Sequence, residues 1–178
     1  VVPLIILAVG LVQSTSKLSE QEATLTELIH TNQTIVDNTQ QTDKKLLKTI
    51  NNVVGLTREE TVFSSNSSIT FIGDQSLLAI ANELTTIYPN AVMHATTIAQ
   101  VTDLSSTINE LKSKNQLNDI VVYSSVSEKY SNVHVLDWNE YSKDQDWFYS
   151  HKSYVTEVGA HEEALFFAKK IYETLRGN

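Results

Sequence analysis

The side chains best suited to catalysis or ligand binding lie in Ser68–Leu78, SITFIGDQSLL. Ile69–Ile72 is a short β-branched and aromatic run, and Gly73 and Asp74 break it. Ser76–Tyr88 then shows helical spacing through Leu77, Ile80, Ala81, Leu84 and Ile87. A strand, a tight Gly-Asp turn and a helix N-terminus hold a nucleophile or an anion over the C-terminal edge of a parallel sheet. Two other sets of residues compete for attention. Five histidines (His30, His94, His134, His151, His161) form no HxH or HxxxH pair with a carboxylate partner, so no metal site is expected. Trp138, Tyr141, Trp147, Phe148 and Tyr149 crowd one stretch. They fit a loop pinned onto the core by its rings better than a sugar-stacking platform.

The elements that must position these residues follow from periodicity. Ala91–His94, Asp119–Tyr123 and Asn132–Trp138 are expected as strands. Val101–Lys114 and about Gly159–Leu175 are expected as helices, the last with Ala160, Ala164, Phe167, Ala168, Ile171 and Leu175 on one face. Strands alternating with helices predict an α/β fold with a covered, mainly parallel sheet of about four strands. Only Ser124–Ser131 separates the last two strands, whereas a parallel crossover normally takes about a dozen residues or more. The last strand is therefore reached by an extended loop or runs antiparallel, and part of one sheet face is left uncovered.

Upstream of Ile69 the composition changes. Val1–Val12 is apolar throughout and Val1–Ser16 carries no charge. That is short of the roughly 20 residues a bilayer span needs. The chain starts at Val1, so residues 1–16 are expected to end a transmembrane segment begun upstream, with a buried core helix as the alternative. A basic n-region and a small-residue cleavage site are missing, which argues against a signal peptide. Residues 17–61 hold one heptad phase, with Leu18, Leu25, Asn32, Thr39, Leu46 and Val53 at a and Gln21, Leu28, Ile35, Thr42, Thr49 and Leu56 at d. This predicts a helical stalk with a weak seam, open to self-association, or else a loosely ordered spacer. Gly55 marks a helix stop, and Thr57 with Glu60 forms a capping box that restarts one. Residues 62–68 are expected as a polar linker and 69–178 as the folded domain.

The net charge of −8 argues against nucleic acid or an anionic lipid surface as the main partner, and the chain has no cysteine for a disulfide or thiolate site.

Several blocks resemble the SGNH domain found at the C-terminus of bacterial peptidoglycan O-acetyltransferases (acyltransferase-3/SGNH type). The Gly73-Asp74 turn resembles that family's first block, Gly-Asp-Ser. Asn132–Trp138 (NVHVLDW), Asp146-Trp147-Phe148-Tyr149 and Thr156-x-x-Gly159-Ala160 resemble its C-terminal part. The resemblance implies a small flavodoxin-like domain on a stalk behind a membrane segment, on the extracytoplasmic side of a Gram-positive bacterial cell. It also implies departures at every catalytic block. The family's serine falls on Gln75, its second-block glycine on Ile98 and its oxyanion-donating asparagine on Ser127. Its aspartate falls on His151 and its histidine on Tyr154.

Acyl transfer needs a nucleophile within hydrogen-bond reach of a base, and donors aimed at the developing oxyanion. Gln75 has a delocalised amide nitrogen, and a phenol with an unperturbed pKa near 10 is a poor general base. Loss of one oxyanion donor alone costs about 2.7–4 kcal/mol. The expectation is a non-catalytic module without cofactor or metal, its residual pocket lined by Asp74, Gln75, Ile98, Ser127, His151 and Tyr154. It would hold or recognise cell-wall glycan or an envelope partner. Two alternatives remain: an active O-acetyltransferase or esterase using Ser76 and His151, with Asp146 or Asp144 orienting the base, and a purely structural head on its stalk.

Overall fold

Ile69–Gly73 forms β1, and all five residues are buried, as a central parallel strand covered on both faces requires. The computed structural model describes residues 23–24, 26–40, 52–95, 104–124, 136–149 and 154–176. Within them the chain runs through a helix over 26–40 (α1) and then Arg58–Asn66 (α2), β1, Gln75–Ala79 (α3), Ala81–Ile87 (α4) and Val92–Ala95 (β2). It continues through Leu104–Ser113 (α5), Ile120–Ser124 (β3), Trp138–Ser142 (α6) and Glu157–Arg176 (α7). Strands pair in the order β2-β1-β3, both pairs parallel, with Phe71 opposite Met93 and Val122. The architecture is thus α/β with a small parallel sheet of three strands among the described residues.

The fourth expected strand, Asn132–Trp138, falls mostly outside the described residues, and its end departs from expectation. Trp138 opens α6, because the Asp137 side chain accepts a hydrogen bond from the Glu140 amide at 3.0 Å and so caps a helix there. Phe148 and Val155 form an isolated antiparallel bridge. Hydrogen bonds from the Tyr149 amide to the Tyr154 carbonyl (2.9 Å) and from the Thr156 amide to the Trp147 carbonyl (2.7 Å) close a clip there.

The segment from Ser76 to Tyr88 is two helices and not one, broken at Ile80 (φ −108°, ψ 7°). The cause is α1. Asn32, which the heptad pattern places at a polar seam position, donates from Nδ2 to the Leu78 carbonyl at 2.6 Å and the Ala79 carbonyl at 3.3 Å. A side chain inserted at those carbonyls interrupts the helical ladder. α1 does not stand clear of the domain. Val36 is fully buried in the core, Thr39 accepts from the Met93 amide (2.9 Å) and Gln40 donates to the Met93 carbonyl (2.7 Å). The outer edge of β2 is thereby closed to other strands. The face α1 buries runs through Ile29, Asn32, Val36 and Thr39, which follows the 3.6-residue period of a helix on a core.

The Thr57 capping box forms as the sequence predicts. The Thr57 amide donates to Glu60 Oε2 at 2.7 Å, and the Glu60 amide to Thr57 Oγ1 at 3.2 Å. The helix it starts runs through Ser64–Asn66, so most of the polar stretch expected to be a linker is helical, with Ser64 fully enclosed. α7 packs on both α2 and α4. Among the described residues no helix is long and apolar enough to cross a membrane; residues 1–16 lie outside them.

Candidate functional site over the sheet edge

At the C-terminal edge of the sheet, Gly73 is in register with Ala95 on one side and Ser124 on the other. The chain leaves β1 toward β2 on one side and returns from β2 to β3 on the other. The Gly73–Ser76 turn therefore sits where parallel sheets of this kind open a crevice for ligands. Fully buried Leu77 and Leu78 anchor the following helix beneath the turn.

The turn's own chemistry is absorbed by structure. Asp74 is the N-cap of α3, and its side chain accepts a hydrogen bond from the Ser76 amide at 2.9 Å. The first intrahelical bond runs from the Leu78 amide to the Asp74 carbonyl at 3.2 Å. Gln75 is therefore the first helical residue and half-buried, while Ser76 is the second and exposed. Bringing the Ser76 hydroxyl into the position of Gln75 would need an extra residue in the turn, and the unbroken register of Gly73 with both neighbours leaves no bulge there.

His151, Ile98 and Ser127 fall outside the described residues. Tyr154 is half-buried at the end of the Phe148–Val155 clip. Asp144 and Asp146 are exposed. No imidazole among the described residues is hydrogen-bonded to Ser76. His94 lies on β2 opposite Ile72. His161 of α7 is part-buried with its Nδ1 3.1 Å from Glu83 Oε2. No cluster of three or more metal-ligating side chains occurs among the described residues.

The aromatic stretch seats as a hood on α7. Trp138 and Trp147 stack with ring centres 5.5 Å apart and planes 7° from parallel. Phe166 of α7 lies 5.7 Å from Trp138 and 4.8 Å from Tyr141. Trp138 and Phe148 pack against the core cluster. The stacked indoles turn faces to each other that a sugar ring would need, leaving Tyr141, 49% exposed, as the open edge.

Sequence reasoning missed Glu163. It shares a stripe of α7 with Gly159, which abuts the Trp147 backbone, and with Phe166. That stripe is the one the hood covers. Its carboxyl is buried, and burial pushes its pKa from 4.5 up to about 8. A glutamate three residues beyond Ala160, between small and aromatic core positions, was the only sequence signal.

Comparison with family models, with curated proteins and with solved structures finds no match to this chain.

Proposed function

We propose that this chain is a non-catalytic, SGNH-like extracytoplasmic module of a membrane-bound, cell-envelope O-acyltransferase-like protein. In this reading it holds or recognises cell-wall glycan or an envelope partner near the membrane. The observation that carries it is the Gly73–Ser76 turn. It occupies the sheet edge where a flavodoxin-like domain places its reactive group, yet Asp74 is committed to capping α3 and an amide side chain, Gln75, stands where a nucleophile would. The strand order β2-β1-β3 agrees with the first three strands of a flavodoxin-like sheet. The blocks NVHVLDW, DWFY and TxxGA supply the resemblance to peptidoglycan O-acetyltransferases. The scaffold is compatible with that family, and Gln75 stands at the position of its nucleophile.

Two assays on the full chain test the proposal. Hydrolysis of a chromogenic acetyl ester should be absent, and retention on purified cell wall should be present. Ester hydrolysis abolished by Ser76→Ala or His151→Ala would replace the proposal with the active-enzyme reading. Absence of both hydrolysis and retention would leave the head as a structural element only.

A further inference from the structure

The sequence contains two arginines among its 178 residues, Arg58 and Arg176, and the fold brings both to one groove. It is an open groove of about 570 Å³ between α2 and the C-terminal end of α7, with both arginines exposed to solvent. Arg176 lies over the Phe63 ring, its guanidinium carbon 5.6 Å from the ring centre. Phe63 in turn meets Tyr172 edge-on at 5.4 Å. This ring support limits where the guanidinium can go, leaving its planar edge of N–H donors oriented before any ligand arrives.

Neither arginine pairs with a carboxylate among the described residues, where the four ion pairs use lysine or histidine. Arg176 at a helix C-terminus has a bland explanation in the helix dipole, but Arg58 does not. It stands in the first turn of α2, where a cation opposes the dipole. The Thr57–Glu60 box engages the Thr57 and Glu60 amides at that helix end, and the anion site rests on the two guanidinium groups.

The groove also offers acceptors. Asn66 donates from Nδ2 to the Val62 carbonyl and Ser67 donates from Oγ to the Phe63 carbonyl. Their oxygens remain to accept from ligand hydroxyls. Glu59 also lines the groove, so its lining side chains carry one net positive charge, which suits a ligand with one anionic group and not several.

We propose that this groove binds a hydroxylated ring bearing a single anionic group, a sugar carboxylate or sugar phosphate. Arg58 and Arg176 hold the anion, Phe63 and Tyr172 hold the Arg176 guanidinium in place, and the side-chain oxygens of Asn66 and Ser67 accept hydrogen bonds from the ligand's hydroxyls. The site is separate from the Gly73 turn and does not depend on the function proposed for it.

Titration calorimetry of the full chain with glucuronic acid, glucose 6-phosphate and glucose tests the assignment. At least one acid should bind about tenfold or more tightly than glucose, weakening as salt is raised. The tighter of the two distinguishes a carboxylate from a phosphate ligand. Arg58→Gln and Arg176→Gln should each lose about tenfold or more in affinity, with circular dichroism confirming that both variants fold. Arg176→Lys keeps the charge but not the fork, and should recover part of the loss at most. Acids binding no better than glucose, or binding equally to the folded double glutamine variant, would overturn the proposal.

Discussion

Glu163→Gln is expected to stabilise the protein at neutral pH and to change little in mild acid. The carboxyl is 7% exposed, and no cation is paired with it among the described residues. Burial raises its pKa from 4.5 to about 8. Between those values the unfolded chain releases a proton that the native chain keeps, so the native state binds more protons and stability falls as pH rises. Below about pH 4.5 both states are neutral and the penalty is absent. Above about pH 8 both are ionised and the penalty is complete, at roughly 5 kcal/mol, of which about 3 kcal/mol is already present at pH 7.

Glutamine keeps the shape of the protonated acid and cannot ionise. It should therefore remove most of that penalty, raising the melting temperature at pH 7 by about 6–12 °C for a chain of this size. The assay is thermal or urea unfolding of both proteins from pH 4 to 8.5. The quantity read is the difference between the profiles, because other groups titrate equally in both. The gap should open from near zero at low pH and level off above pH 8. Parallel profiles across that range would refute the reasoning, since they would mean that Glu163 ionises in the folded protein as freely as in the unfolded one.

Two further substitutions probe the packing that positions the site. Asn32→Ala leaves the Leu78 and Ala79 carbonyls without their donor. It should cost about 1–3 kcal/mol in urea unfolding, with faster amide exchange across α3 and α4; an unchanged midpoint would mean that α1 does not dock there. At Gly159 an added Cβ would collide with the Trp147 carbonyl oxygen and stand 3.0 Å from the Cβ atoms of Trp147 and Val155. Gly159→Ala should therefore cost about 1–3 kcal/mol, seen as a lowered urea midpoint with red-shifted tryptophan emission, and a wild-type spectrum and midpoint would show that the hood is not seated on α7.

What the sequence determined by itself was local. Thr57 and Glu60 specify a capping box because both partners lie within three residues of each other. The β-branched and aromatic run Ile69–Ile72 specifies a strand, and Gly73-Asp74 after it specifies a turn. The α7 face was legible from its spacing, with bounds two residues wider at the start and one at the end. Tertiary structure decided everything that depends on a distant partner. The same heptads that describe a free stalk also describe a helix laid on a core, and it was the carbonyls of Leu78 and Ala79, 46 and 47 residues away, that claimed Asn32. Those bonds also split a continuous apolar pattern into α3 and α4. Trp138 begins a helix and not the end of a strand, because an aspartate cap and a stack with Trp147 outweigh β propensity. Nor does the spacing of Arg58 and Arg176 reveal that they share a groove. Periodicity records which face of an element is apolar; only the folded chain settles what that face meets.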